Sequence, residues 1–195
     1  MKCLLKYFAF FMIIAAVRAQ HKSDKLCPER PIVQNFDIKK YTSGIWYDVL
    51  RYEARFSKGC DCGFANYDLN DDQSVGVRNC CKRLPNTTLS CVTGQAKLTE
   101  PDHVPLEGKI NVSFGKRPND VSNYWVLDTD YDQYSIVYYC KNTADNKSEE
   151  LAWVLSREPQ LNPAVQVVTN SLIDTHFDRT AMYQAKQDAE HCEPR

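Results

Sequence analysis

Cysteine is the residue type with the clearest chemistry in this sequence. Of nine cysteines, Cys3 lies in an apolar leader. The other eight are Cys27, Cys60, Cys62, Cys80, Cys81, Cys91, Cys140 and Cys192. The close spacing of some of them could suggest a thiolate metal cluster, but the paired Cys-x-x-Cys of zinc ribbons is missing. An even number in an exported chain instead predicts four disulfides and no free thiol.

Other residues with chemical potential do not form a recognisable site. Asp128, Asp130 and Asp132 alternate as in a calcium loop, but Gln133 replaces the needed glycine and Tyr139 the closing glutamate. The four histidines are scattered without metal-ligand spacing: His21, His103, His176 and His191. No Gly-x-Ser-x-Gly motif, phosphate-binding loop or catalytic carboxylate pair is present. We therefore predict no catalytic residues, no metal site, no required cofactor and no enzymatic activity.

The first residues have the pattern of a secretory signal peptide. Lys2 supplies a positive charge, an apolar run covers residues 7–17, and Val-Arg-Ala at residues 17–19 is a small-residue cleavage site. Removal of residues 1–19 leaves residues 20–195, which we expect to form a single domain. No later apolar run approaches the roughly 20 residues of a membrane span. The sequence thus predicts a secreted, extracellular protein.

The composition is typical of an extracellular surface rather than of a nucleic-acid-binding one. The net charge is −1 and no basic stripe is visible, so we expect no nucleic-acid partner. Three Asn-x-Ser/Thr sequons are candidate glycosylation sites. They begin at Asn86, Asn111 and Asn146.

Eight strand-like runs follow one another along the chain, with turn-rich segments between them. The runs are 44–54, 62–69, 74–82, 88–98, 108–114, 123–129, 134–140 and 151–156. A helix signal follows only after the eighth run. There Asn162 can act as N-cap, Pro163 suits the first turn, and Val165, Val168 and Leu172 form one apolar stripe.

Eight antiparallel runs and one late helix predict an all-β fold, an eight-stranded up-and-down antiparallel barrel with a C-terminal α-helix packed outside. An eight-stranded barrel has an interior just wide enough for one small ligand. A two-sheet sandwich with a similar number of strands is the alternative.

Three local motifs resemble the conserved blocks of the lipocalin family. They are Gly44-Ile45-Trp46 at the start of the first strand, Thr129-Asp130-Tyr131 in a turn, and Arg157 at the end of "WVLSR". The resemblance implies that the residues of these blocks close one end of the barrel. They are Gly44, Trp46, Thr129, Asp130, Tyr131 and Arg157. It also implies that Arg157 packs on Trp46, and a guanidinium group stacked on an indole contributes about 0.5–2 kcal/mol.

Longer segments are similar to the apolipoprotein D group of that family, which includes insect bilin-binding proteins and Lazarillo-like proteins. They include "LCPERPIVQNFDIKKYTSGIWYDV" and "YWVLDTDYDQYSIVYYC". The resemblance implies two disulfides, Cys27–Cys140 and Cys62–Cys192.

The remaining four cysteines lie at the open mouth of a lipocalin barrel. There Cys60 would pair with Cys80 or Cys81, and Cys91 with the other. Because opposite residues around the "LPN" turn bring Cys80 nearest Cys91, Cys60–Cys81 and Cys80–Cys91 are favoured. They would pre-organise the entrance, or else serve general stability.

The same resemblance implies a ligand pocket with five lining residues. They are Tyr67, Phe114, Tyr124, Trp153 and Leu155. Strand parity supports Trp153 and Leu155, which share one face with Arg157. The alternative is that these residues are ordinary core aromatics of a filled barrel.

Two functions remain as hypotheses. The first is a carrier that binds a small hydrophobic ligand non-covalently, with a bilin such as biliverdin first, and a fatty acid, retinoid or steroid next. The second is an extracellular interaction protein with a filled barrel. The C-terminal "AEHCEPR" is polar and gives no glycolipid-anchor signal. The loops at the mouth are charged, so we expect no membrane insertion.

Overall fold

The structure is a computed structural model that describes residues 21–83, 88–115 and 121–193. The strands of the described residues are β1 (His21–Ser23), β2 (Ile45–Tyr52), β3 (Cys60–Leu69), β4 (Val75–Arg83), β5 (Leu89–Leu98), β6 (Lys109–Ser113), β7 (Val121–Thr129), β8 (Tyr134–Asn142), β9 (Ser148–Ser156) and β10 (Met182–Gln184). The α-helices are α1 (Ile38–Thr42), α2 (Pro163–His176) and α3 (Ala189–Cys192).

Strands β2 to β9 form a closed antiparallel barrel. Each pairs with the next in sequence, and β9 pairs back onto β2, with Arg51 opposite Trp153. The short β1 pairs with β9, and β10 pairs with the second half of β2. These eight strands correspond to the eight predicted runs, so the predicted barrel is confirmed and the sandwich alternative is wrong.

Helix α2 begins where the sequence predicts. The Asn162 side chain accepts a hydrogen bond of 3.0 Å from the backbone N–H of Val165, and Pro163 occupies the first turn. The helix buries Val165, Thr169 and Ile173. The predicted stripe was partly wrong, because Val168 is 46% exposed. Thr169 takes its place, since its hydroxyl donates to the carbonyl of Gln166 and so satisfies its polar group within the helix.

The short helix α1 lies before the barrel and has no counterpart in the sequence analysis. The Asp37 side chain caps it by accepting from the N–H of Lys40. Ile38 and Tyr41 are buried in the main core with Phe36 and Trp46. This segment therefore packs into the barrel at the end where β2 begins.

Four disulfides link the described cysteines. They are Cys27–Cys140, Cys60–Cys81, Cys62–Cys192 and Cys80–Cys91, the same four pairs as expected above. None of the helices in the described parts of the chain combines the length and the apolar character needed to cross a bilayer.

Candidate functional site: the barrel lumen

The inner face of the barrel follows from strand alternation. Across β8 and β9, Val137 lies opposite Trp153 and Ser135 opposite Leu155. Val137 and Leu155 belong to the main buried core, and Trp153 packs against it. Because opposed residues point to the same side of a sheet, these side chains face inward. The next inward residue of β8 is Tyr139.

The five predicted lining residues are distributed from the floor of this lumen to its rim. Leu155 is buried in the core cluster, while Tyr67, Tyr124 and Trp153 are half-buried at its edge. Phe114 follows the inward residues of β6 and is 48% exposed. A Cβ atom on Gly94 would lie only 2.7 Å from the Phe114 ring, so this ring rests directly on the β5 backbone.

Tyr67 and Tyr124 belong to a chain of hydroxyl groups that the sequence analysis did not find. The Tyr67 hydroxyl lies 3.1 Å from that of Tyr124, which lies 2.8 Å from that of Tyr41. The Tyr41 hydroxyl lies 3.1 Å from Ser135 Oγ. Burial raises the pKa of all three tyrosines, so the phenols stay neutral at physiological pH.

The end of the barrel below this chain is closed by Arg157 and Trp46. The Arg157 guanidinium carbon lies 3.5 Å from the centre of the indole ring, and Trp46 is fully buried. The indole N–H donates to the carbonyl of Tyr41 at 2.8 Å. Arg157 also donates to the carbonyls of Lys40 and Ser43. One guanidinium thus joins α1 to the start of β2.

The Thr129-Asp130-Tyr131 turn holds Arg157 from the other side. The Thr129 hydroxyl donates to the carbonyl of Tyr134 at 2.6 Å and accepts from the N–H of Tyr131. The Asp130 carboxylate accepts from the N–H of Tyr134. The Tyr131 carbonyl, fixed in this way, accepts from Arg157 Nε at 2.9 Å.

Gly44 completes the closure through its backbone. Its φ of +65° lies in the left-handed region, and a Cβ there would lie 3.6 Å from Arg157 Nη1. The structure therefore brings all six predicted closure residues together at one end of the barrel.

A buried ion pair on the inner wall was also missed by the sequence analysis. Arg51 is fully buried and lies opposite the inward-facing Trp153. It donates to Asp48 Oδ2 at 2.8 Å and to the carbonyls of Ser57 and Cys60. Burial raises the pKa of Asp48, the Arg51 charge opposes that rise, and Asp61 adds to it. This pair fixes the segment between β2 and β3 at the rim.

The rim also carries the two disulfides at the ends of β3, β4 and β5. Cys80 and Cys91 are directly paired residues with their Cα atoms 4.1 Å apart. Cys60 and Cys81 join β3 to β4 with a Cα distance of 5.5 Å. Together they connect three successive strands.

The two sequon residues that the structure describes lie outside the lumen. Asn111 is half-buried in β6 opposite Asn123, and Asn146 is exposed between β8 and β9. Asn86 lies outside the described residues.

Two other surface features do not belong to the lumen. A cleft of about 350 Å³ lies between α2 and the outer face of β2 and β9, lined by Leu161, Ile173 and Gln184 among others. Glu100, His103 and Glu107 have their ligand atoms within 4.8 Å of one another, a grouping that the sequence analysis did not recognise. Glu107 there is already paired with Lys109 at 2.6 Å.

Comparison with known proteins agrees with this architecture. Residues 36–187 match the model of the lipocalin-like domain family. The chain belongs to the lipocalin family.

Within the family, this lipocalin is 37% identical to apolipoprotein D of Mus musculus over 138 residues, which cover 70% of this chain and 69% of the mouse protein. It is 32% identical to the bilin-binding protein of Pieris brassicae over 178 residues, with 87% of both chains covered. Among solved structures, insecticyanin of Manduca sexta superimposes with a TM-score of 0.76 at 23% identity, covering 89% of this chain and 93% of insecticyanin.

Proposed function

We propose that this lipocalin is a secreted carrier that binds one small hydrophobic molecule non-covalently in the barrel lumen. The observation that carries the proposal is the set of half-buried aromatic side chains on the inner face. Tyr67, Tyr124 and Trp153 pack against the core from the inner face yet keep exposed surface, so they can contact a ligand in the lumen. Apolar walls with a few convergent polar groups are typical of small-molecule sites.

The energy of binding would come mainly from burial of apolar ligand surface. At about 25 cal/mol per Å², burial of roughly 300 Å² provides about 7 kcal/mol before the costs of ordering. The hydroxyls of the lumen would fix the orientation of the ligand. The rim disulfides and the Arg51–Asp48 pair support this by holding the entrance in one conformation before binding.

A bilin such as biliverdin is the first candidate ligand, and a fatty acid, retinoid or steroid comes next. The similarity to the bilin-binding protein of Pieris brassicae favours the bilin. No cofactor is required by this proposal, and catalysis is not part of it. All eight cysteines of the described residues lie in disulfides, which leaves no thiol nucleophile among them. The same disulfides support export to an oxidising compartment after removal of residues 1–19.

The test is a titration of intrinsic tryptophan fluorescence with biliverdin, a long-chain fatty acid and a steroid. We expect saturation near one equivalent for at least one of them. Trp153→Phe should remove the largest share of the quenching, because Trp153 borders the lumen. Trp125→Phe is the matched control, since Trp125 packs in a separate cluster with Leu127 and Ile136 on the outer side of the wall.

Failure of every ligand to change the fluorescence would favour the alternative, an extracellular interaction protein with a filled barrel. Equal effects of the two tryptophan substitutions would place the ligand outside the lumen. We also propose that Asn146, which is exposed, is glycosylated, and glycan mapping of the secreted protein tests this.

A further inference from the structure

The hydroxyl chain in the lumen has one more hydrogen-bond donor than it uses. Tyr67, Tyr124, Tyr41 and Ser135 contribute four hydroxyl protons. Within the described residues these hydroxyls make three hydrogen bonds, each between two members of the chain. Three contacts consume three protons. One O–H therefore has no acceptor among the described residues.

The position of this spare donor follows from burial and from the order of the chain. Ser135 is fully enclosed and Tyr41 is 1% exposed, so a proton left unused on either would carry the penalty of a buried unsatisfied donor, about 1–3 kcal/mol. Ser135 therefore donates to Tyr41, and Tyr41 donates to Tyr124. Tyr124 and Tyr67 are both half-buried, and hydroxyl groups that donate in one direction strengthen one another, which favours donation from Tyr124 to Tyr67. In this arrangement the Tyr67 hydroxyl is the last donor. Tyr67 keeps exposed surface and faces inward, so its proton is directed to the lumen.

The charge near the hydroxyl chain determines which kind of ligand group the spare donor favours. The positive charge of Arg157 acts on Tyr41 and Tyr67, where it opposes the rise in pKa caused by burial. For Tyr124 the influences besides burial are the other two phenols. A spare donor in a positive field is complementary to an oxygen that carries negative charge, and it is unfavourable for an ammonium group.

We propose that the lumen selects ligands that enter with a hydrogen-bond acceptor first, a carboxylate or a carbonyl, and that Tyr67 donates its hydroxyl proton to that group. The proposal rests on the carrier function proposed above and adds the chemistry and the direction of the ligand. The apolar part of the ligand would then extend from the hydroxyl chain past Trp153 toward the rim. Amines of the same size would be disfavoured by the positive charge of Arg157.

The experiment compares dodecanoic acid, methyl dodecanoate and dodecylamine at neutral pH by calorimetry. They share the alkyl chain and differ in the head group. We expect the acid and the ester to bind at least tenfold more tightly than the amine, where tenfold corresponds to about 1.4 kcal/mol. The double variant Tyr67→Phe/Tyr124→Phe removes the two half-buried hydroxyls of the chain. It should weaken acid and ester binding about tenfold and leave the amine within twofold.

Tyr134→Phe is the matched control. Tyr134 is a half-buried tyrosine on the outward-facing side of β8, where it packs with Leu127 and Ile136, and its substitution should leave all three affinities unchanged. A thermal melt of each variant checks that the barrel is folded. Binding of the three ligands with equal affinity, or equal losses for all three in the double variant, would overturn the inference and leave the carrier function intact. Absence of binding by all three, and by biliverdin and a steroid, would overturn both.

Discussion

The closed end of the barrel predicts a large effect for a chemically conservative substitution, Arg157→Lys. The guanidinium donates to backbone carbonyls of three separate segments, represented by Lys40, Ser43 and Tyr131, and stacks on Trp46. A lysine keeps the positive charge but has one nitrogen, which cannot reach all three segments at once.

The magnitude can be worked out from these contacts. The substitution loses two hydrogen bonds from a charged donor, each worth about 1–2 kcal/mol net at this half-exposed position. It also loses a cation–π contact of about 0.5–2 kcal/mol. The upper limit of the summed loss in stability is near 6 kcal/mol. Because a lysine retains part of the hydrogen bonding and part of the cation–π contact, we expect a loss of about 2–4 kcal/mol in the free energy of unfolding. For a chain of this size that lowers the Tm by about 5–15 °C.

Urea unfolding of the oxidised protein, followed by circular dichroism, measures this loss. Arg55→Lys is the control, because Arg55 is exposed, and it should change the stability by less than about 0.5 kcal/mol. An Arg157→Lys variant as stable as the Arg55→Lys control would refute the view that the forked guanidinium holds the closed end together.

Three further predictions concern the rim and the wall. Replacement of Cys80 and Cys91 by serine should lower the free energy of unfolding by about 2 kcal/mol less than the same change at Cys27 and Cys140. In the loop-entropy model a disulfide stabilises more when it closes a longer segment, and these two close 11 and 113 residues; unfolding in urea measures the difference. Gly94→Ala should lower the free energy of unfolding by about 1–3 kcal/mol, measured by a thermal melt, because its Cβ would lie 2.5 Å from the Ser113 carbonyl. Gly76→Ala is the control, since its Cβ would make only ordinary contacts. The raised pKa of Asp48 means that the folded state holds this proton more tightly, so wild-type stability should fall relative to Asp48→Asn as the pH rises above about 4 in a series of urea melts; a difference that does not change with pH would contradict this.

The sequence predicted the barrel because turn residues mark every strand boundary. The segments rich in Asn, Asp, Pro and Gly separate the runs that become β2 to β9, and Asn162 with Pro163 marks the start of α2. Helix α1 was missed because five residues are too few to show a helical period. Tyr41 was missed with it, and so was its place in the hydroxyl chain.

The inner wall was harder to predict because of a β-bulge in β2. Simple alternation from the inward-facing Trp46 would place Leu50 inside and Arg51 outside. The register against β9 shifts between Asp48 and Leu50, so that Arg51 lies opposite Trp153 and faces the lumen. A single extra residue in one strand leaves no clear compositional signal, so the parity of the wall requires the three-dimensional register.

The central claim, that one ligand occupies the lumen, is tested most directly by calorimetric titration of biliverdin and dodecanoic acid into the wild type and Asn79→Trp. Asn79 lies on β4 with the inward parity of Val75 and Val77, opposite Ala65, so a tryptophan there would fill the lumen from the wall. The account predicts one equivalent of at least one ligand in the wild type and no measurable binding in the folded variant. Equal binding to both proteins would show that the ligand sits elsewhere, and no binding to either would show that the barrel is not a carrier for these ligands.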